Sequence, residues 1–262
     1  MDKGNKVLVL GSTGMLGSTV KKYYESAGFL VETNSHRWPS EELKQQISSF
    51  DGVLILNCIG GIHQNYDGSP DFYKVNYELP IFISNNSSSK VIQPDTDCVF
   101  SGNIGKGQLY DKNDAPDATG DYAESKSELI KRLSQTQDNL KVFRTSIIGF
   151  DKNKVSLLSW FLSQENECSG FDFHYWNGLT TLQWAKESLT ILVGWGTLPK
   201  VIQLAPEPIS KYDLLCLFRE VFDKNTKINL VSKDEVVNKC LKSDWDVPTL
   251  KEQLILFREF YS

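Results

Sequence analysis

The sequence has little of what would tie it to disulfides, metals, nucleic acid or a lipid bilayer. Its five cysteines, at 58, 98, 168, 216 and 240, are odd in number and scattered, with no Cys-x-x-Cys pair. They read as reduced thiols, not a disulfide framework, which points to the cytoplasm. The three histidines, 36, 63 and 174, lie far apart and form no ligand motif, so no metal site is expected. Basic runs are absent and the net charge is -5, which argues against nucleic acid as a partner. An anionic small molecule stays open, because helix N-termini and a few cations can bind one locally. No apolar run approaches the ~20 residues that span a bilayer, so membrane insertion is not expected. The opening Met-Asp-Lys-Gly-Asn-Lys leads into a strand rather than into a signal-peptide apolar region. Internal repeats and low-complexity tracts are also missing.

What remains is a chain of 262 residues, enough for one elaborated domain or two small ones. Lys6 to Leu10 is a short Val- and Leu-rich run bounded by Gly11, and predicts a buried strand. Met15 to Ala27 predicts a helix ending at Gly28, and Phe29 to Thr33 a second strand. Ser40 before Glu41 and Glu42 is a helix start, with the serine as cap and acids in the first turn. Val53 to Asn57 predicts a strand, Asp71 to Asn85 a helix despite Pro80, and Lys90 to Gln93 a strand leading into Asp95-Thr96-Asp97. A helix carrying Tyr122 and a strand over Leu140 to Thr145 follow. Such alternation predicts an α/β fold with a doubly wound parallel sheet. Beyond Gly149 the pattern predicts helices at Asn153 to Gln164, Leu182 to Val193, Ser210 to Phe222, Ser232 to Lys239 and Thr249 to Tyr261. Phe171 to Tyr175 and Val201 to Leu204 are expected to be extended. The expected division is a dinucleotide-binding Rossmann domain over 1–150, with 180–205 returning to it. The segments 151–179 and 206–262 would then form a smaller, helix-rich substrate subdomain, bounded at Pro206 to Pro208.

Three features carry chemistry. Gly11-Ser-Thr13-Gly14-Met15-Leu16-Gly17 sits between the first strand and first helix. Gly11 would make the turn, Gly14 admit a pyrophosphate and Gly17 allow close helix packing, so this segment is the candidate dinucleotide site. After the second strand, Asn34, Ser35 and Arg37 suit a 2′-phosphate, favouring NADPH with NAD as the alternative; Arg37 as a solvated loop cation is the competing reading. Thr96 ends a strand where open α/β sheets bind ligands, with a capping threonine as the bland alternative. Tyr122 and Lys126 are four apart on a helix and share a face. A nearby cation lowers a phenol's pKa from its usual value of about 10, which suits proton transfer at a carbonyl or alcohol.

In this order the motifs resemble the extended short-chain dehydrogenases/reductases, and within them the dTDP-4-dehydrorhamnose reductase branch, which reduces 4-keto nucleotide sugars. Asn57-Cys58-Ile59-Gly60-Gly61 matches the family's Asn-Ala-Ala-like loop beside the cofactor, expected after the fourth strand. Val75-Asn76-Tyr-Glu-Leu-Pro80 is similar to its Val-Asn-x-x-x-Pro segment, and Asp95-Thr-Asp-Cys-Val-Phe-Ser-Gly102 to its Ser-Thr-Asp-Tyr-Val-Phe-x-Gly. Arg144-Thr-Ser146 matches the Arg-Thr-Ser closing the sixth strand, and Trp176-Asn177-Gly-Leu-Thr-Thr181 aligns loosely with a loop at the sugar site. Past about residue 206 the likeness is general helix pattern.

The resemblance implies hydride supply by a reduced nicotinamide, protonation of the developing alkoxide by Tyr122 and orientation of the oxygen by Thr96. Lys126 would hold the nicotinamide ribose and lower the Tyr122 pKa. Cys58, Ile59, Gly60 and Asn76 would border the cofactor. Asp97, Cys98, Trp176 and Asn177 would border a nucleotide-diphosphate sugar. Cys98 stands where the branch has tyrosine. Dehydratases of related type carry a glutamate there, which argues against dehydration, and GDP-fucose synthase carries a reactive cysteine, which leaves an epimerase-reductase open. A small buried thiol is the plainer role. A third alternative is a non-catalytic subunit resembling the methionine adenosyltransferase β subunit. His63 and Asp67 fall in a loop able to border the pocket. Trp160, Trp184 and Trp195 read as core aromatics, and a homodimer stays undecided.

Overall fold

Alternation along the first strand sets the layers. In β1 (Lys6–Leu10), Val7 and Val9 join one buried cluster while Leu8 and Leu10 join another, as a strand with successive side chains on opposite faces requires. The computed structural model describes residues 5–61 and 71–262. After β1 come α1 (Met15–Ser26), β2 (Leu30–Thr33), α2 (Glu41–Ser49) and β3 (Leu54–Asn57). A π-helical turn over Lys74–Glu78 runs into α3 (Leu79–Asn86), followed by β4 (Lys90–Asp95), α4 (Asp121–Arg132) and β5 (Leu140–Arg144). The chain continues through β6 (Ile147–Ile148), α5 (Leu157–Leu162), β7 (Glu167–Phe171), β8 (His174–Trp176), β9 (Leu179–Thr180) and α6 (Thr181–Val193). It ends with β10 (Val201–Gln203), β11 (Ile209–Ser210), α7 (Lys211–Val221), β12 (Lys227–Val231), β13 (Val237–Asn238) and α8 (Leu250–Tyr261).

The main sheet has six parallel strands in the order β10-β5-β4-β3-β1-β2. One face is covered by α1 and α6, through Leu16, Val20, Trp184 and Ile191. The other is covered by α2, α3 and α4, through Leu43, Ile47, Ile83 and Leu129. This is the doubly wound, Rossmann-type α/β fold expected from the alternation. The order reverses between β1 and β3, so loops leaving those two strands diverge and open a crevice at their C-terminal ends. A separate apolar cluster, including Leu158, Phe161, Trp176, Leu214, Phe218, Leu254 and Phe257, joins α5, α7 and α8.

Several boundaries differ from expectation. The strands ending at Asn57, Asp95 and Arg144 are the third, fourth and fifth in the chain, one fewer than the family count suggests, because β2 leads through the single helix α2 into β3. The helix expected at Asn153 starts only at Leu157. The Asp151 carboxylate accepts from the backbone N–H groups of Val155 (2.7 Å) and Asn153 (3.3 Å), and Ser156 then caps α5. Phe171 to Tyr175 is not one strand but the junction of β7 and β8. No helix forms over Ser232 to Lys239. Val237 and Asn238 pair in parallel with His174 and Tyr175, and the Asn238 amide donates to Gly105 O and Gln108 O, so tertiary pairing overrides the local pattern. The helix expected from Asp71 carries the π-turn ahead of α3. His63 and Asp67 lie outside the described residues.

Candidate active site

The glycine turn is built by steric necessity. Gly11 has φ of +72°, and a Cβ there would meet the Cys58 and Ile59 backbone at 2.9 Å. Its N–H donates to Asn34 Oδ1 at 2.8 Å. A Cβ at Gly17 would fall on the Gly11 carbonyl, so α1 packs directly against the turn. Gly14 is the N-cap of α1 and provides no side-chain acceptor, and the first turn holds no acid. By contrast Ser40, Ser156, Thr180, Ser210 and Thr249 cap α2, α5, α6, α7 and α8. The first-turn N–H groups of α1 thus have no side chain to bind, in a cradle open to the crevice. That arrangement fits an anionic pyrophosphate.

Across the crevice β4 ends at Asp95, and Thr96 caps a short turn over Asp97–Val99 by accepting from Cys98 N at 3.1 Å. Its hydroxyl donates to Asp97 Oδ1 at 3.1 Å, and it lies near enough to the Tyr122 phenol to influence its pKa. Tyr122 enters from the first turn of α4, its ring edge-on to Phe72 at 5.7 Å. One turn later, the buried Lys126 ammonium donates to Pro94 O at 3.0 Å. Burial pushes the Tyr122 phenol above its usual pKa, the neighbouring Cys98 adds to this, and the Thr96 hydroxyl opposes it. Lys126 is pushed below its usual value by burial, with Asp95 opposing. The expectation that Lys126 lowers the Tyr122 pKa is therefore corrected: the ammonium is directed to Pro94 and Asp95, and desolvation dominates at the phenol.

Both halves open on one cavity of about 1120 Å³. Of the expected residues, Thr13, Gly14, Met15, Leu16, Cys58, Ile59, Gly60, Thr96, Asp97, Cys98, Tyr122, Lys126 and Trp176 line it. Gly11 and Gly17 shape the turn from behind. Asn34 is engaged by Gly11 N and donates to His36 O at 2.8 Å. Ser35 and Arg37 are exposed and do not line the cavity. Asn76 lies in the π-turn, away from the cavity wall, and works as a tie: it accepts from Gly61 N at 3.0 Å and donates to Ser125 Oγ at 3.1 Å. The loop after β3 is thereby joined to the helix carrying Tyr122, in a π-turn of the kind that recurs at functional sites. Asn177 is buried away from the cavity, its amide donating to Leu241 O (2.8 Å) and Pro206 O (3.1 Å). Trp184 is fully buried, stacked on Phe143, and is among the residues lining the cavity.

Sequence reasoning missed part of the wall. Gln93 accepts from Asn57 Nδ2 at 2.6 Å and donates to Pro94 O at 3.2 Å, forming a polar floor between β3 and β4. A glutamine inside an apolar strand was the available signal. Asp95 is locked to Arg144 Nε at 2.8 Å with both side chains almost fully buried. Ser146 accepts from Trp176 Nε1 at 2.7 Å. Lys211 also lines the cavity, its ammonium 4.9 Å from the Trp176 ring centre. Its signal was a cation in the first turn of a helix, where the macrodipole disfavours one. All five cysteines are free thiols. Among the described residues no helix is long and apolar enough to cross a membrane, and none of the His, Cys, Asp or Glu side chains group as a metal site.

The sheet, the uncapped glycine turn and the Thr96–Tyr122–Lys126 set define an NAD(P)-dependent oxidoreductase of the extended short-chain dehydrogenase/reductase type. The chain belongs to the RmlD substrate binding domain family, whose model matches residues 5–172. Among solved structures, it is similar to a dTDP-4-dehydrorhamnose reductase from Bacillus anthracis in complex with NADP, with a TM-score of 0.82 and 13% identity over 98% of this chain and 99% of that one. A dTDP-4-dehydrorhamnose reductase from Clostridium acetobutylicum superposes with a TM-score of 0.79 and 15% identity over 98% and 99%. A UDP-glucose 4-epimerase with UDP-glucose from Thermotoga maritima gives 0.74 and 14% over 98% of both chains. No curated protein sequence matches the chain.

Proposed function

We propose that this chain uses NADPH, with NADH as the lesser alternative, to reduce the 4-keto group of a nucleotide-diphosphate-linked 6-deoxy sugar. The observation that carries this reading is the Thr96–Tyr122 pair, with Lys126 buried beside it, lining one cavity with an uncapped glycine turn. Membership of the family supports the substrate class, and the NADP of the Bacillus anthracis reductase supports the cofactor. A role in surface polysaccharide (O-antigen or capsule) assembly rests on the family alone. The division into a cofactor domain (1–150 with 180–205) and a substrate subdomain (151–179 with 206–262) is part of the same reading, as is a cytoplasmic location consistent with five free thiols.

When bound, a reduced nicotinamide supplies the hydride. The Thr96 and Tyr122 hydroxyls hold the keto oxygen. Burial keeps the phenol protonated at neutral pH, so Tyr122 gives its proton to that oxygen as negative charge develops. Thr96 Oγ1 is held in place by the Cys98 N–H, and its single proton, now on Asp97 Oδ1, would turn to the keto oxygen. One of the three Lys126 donors is engaged by Pro94 O, leaving two for hydroxyls of the cofactor ribose. Gly14 and the α1 N-terminus would hold the pyrophosphate.

Epimerisation through Cys98 requires a thiolate. Burial first, then Asp97, pushes that thiol up to about 11, so it stays protonated at neutral pH and simple reduction is favoured. The test is direct. NADPH is mixed with a panel of nucleotide-linked 4-keto sugars and nicotinamide absorbance is followed, with melting temperature read alongside. Ligand at about 100 times its Kd stabilises by roughly 2.7 kcal/mol, a visible shift. Turnover with one sugar is expected. No turnover and no shift with either dinucleotide would refute the reading and favour the partner-subunit alternative.

A further inference from the structure

Tyr122, Thr96 and Lys126 account for one wall of the cavity. The lining also holds a charge the reduction does not use. Lys211 is the first residue of α7, directly after the Ser210 cap, and its side chain turns into the cavity over the Trp176 indole at 4.9 Å. The indole is itself fixed, since Trp176 is buried and its Nε1 donates to Ser146 Oγ at 2.7 Å. Among the described residues no carboxylate forms an ion pair with Lys211 and no oxygen accepts its protons.

An ammonium in this position is costly to maintain. It is largely removed from water, and it stands at the end of a helix whose dipole repels a cation. Burial pulls its pKa down, and the more distant Asp97, Cys98 and Cys240 offset that only in part. Asp97 and Cys98 line the cavity beside Thr96 and act electrostatically on both Tyr122 and Lys211, so the ammonium shares the cavity with the proposed reacting centre.

We propose that Lys211 is a substrate-binding residue that takes an anionic oxygen of the sugar nucleotide, either a phosphate oxygen of the diphosphate or a carboxylate carried by the sugar. The bound anion would supply the counter-charge the protein withholds, and Trp176 would hold the ammonium ready for it through cation–π attraction. A lone cation with three donors reads charge and position without demanding a planar partner, so it suits a phosphate or a carboxylate alike. This assignment rests on the nucleotide-sugar reading above.

The test uses the full chain saturated with NADPH and two variants, Lys211→Met and Lys211→Arg. Calorimetric titration compares UDP, dTDP and GDP with their uncharged nucleosides, and UDP-glucuronate with UDP-glucose. Lys211→Met is expected to weaken at least one anion by about tenfold or more, with Lys211→Arg recovering most of it. Loss shared by diphosphates and sugar conjugates assigns the diphosphate; loss confined to UDP-glucuronate assigns a sugar carboxylate. Melting temperature separates the roles, because a binding charge that is costly to bury leaves Lys211→Met at least as stable as the wild type, whereas removing a structural charge lowers the melting temperature. Unchanged anion affinity in Lys211→Met overturns the proposal, as does a wild type that binds none of these anions saturably. NADPH affinity, titrated separately on each protein, reports on the reductase reading by itself.

Discussion

Replacing Tyr122 by phenylalanine removes one oxygen from the centre of the cavity and little else. The ring retains its edge contact with Phe72, and Thr96 retains Asp97 and the Cys98 N–H. One neutral hydrogen bond is worth about 0.5–1.5 kcal/mol net. For a chain of this size that moves the melting temperature by about 1–6 °C. The chemistry should suffer far more. Loss of a general acid typically costs about 10²–10⁴ in rate, which is about 3–5 kcal/mol of barrier. Steady-state oxidation of NADPH by Tyr122→Phe should therefore show a collapsed kcat in a folded protein with unchanged NADPH affinity. A kcat within about threefold of wild type would refute the acid role. The pH profile is a second check. Because burial raises the phenol, the rate of reduction should stay flat through neutrality, with loss only above the usual tyrosine value of about 10. A fall between about pH 7 and 9 would mean that Lys126 lowers the phenol after all.

Other perturbations test the frame around the site. Asp95→Asn breaks a 2.8 Å ion pair whose side chains are 0% and 2% exposed, leaving the Arg144 charge uncompensated. The expected cost is about 3–5 kcal/mol, read as a lower urea midpoint; a loss under about 1 kcal/mol would mean that the pair is not held closed in solution. Gly17→Ala places a methyl against the Gly11 carbonyl, so α1 must withdraw from the turn. Destabilisation of about 1–3 kcal/mol is expected, with weaker NADPH binding by calorimetry, and wild-type affinity would remove the turn from the cofactor site. Tyr24 is fully buried against Ser188 Oγ at 2.9 Å, and burial raises its pKa. Its contribution is complete below about pH 10 and is lost as pH rises, because the unfolded chain ionises first. Tyr24→Phe should flatten the alkaline decline of the urea midpoint, and an unaltered slope would count against the burial argument.

Regular segments were legible because one local signal fixed each of them. Ser40 before two acids gave a start for α2, and Ser210 and Thr249 did the same for α7 and α8. The turn after β1 was legible because only glycine satisfies the contacts at Gly11 and Gly17. Where signals were non-local, reading failed. Val237 and Asn238 are too short a run to announce a strand; they become one because His174 and Tyr175 are beside them. Asp151 shortens α5 by binding backbone ahead of Ser156, a competition that helix spacing does not register. Asn177 looked like a site residue from its neighbours in sequence, yet its amide is consumed by Pro206 and Leu241, one of them 64 positions away.

The electrostatics were the least legible part, for a related reason. Spacing placed Tyr122 and Lys126 on one helical face, and they are there. Spacing says nothing about where a flexible four-carbon stem ends. The Lys126 ammonium ends at Pro94 O, beside Asp95, where its charge is largely answered by the strand and not by the phenol. What then governs Tyr122 is removal from water, a property of the whole cavity wall. A phenol held protonated is a proton donor, the form that the proposed reduction needs. The same burial keeps Cys98 a thiol, which withdraws the base that epimerisation would need. One desolvated wall thus keeps both groups protonated, the forms the proposed simple reduction needs, and Lys211 lines the same cavity with no ion-pair partner among the described residues.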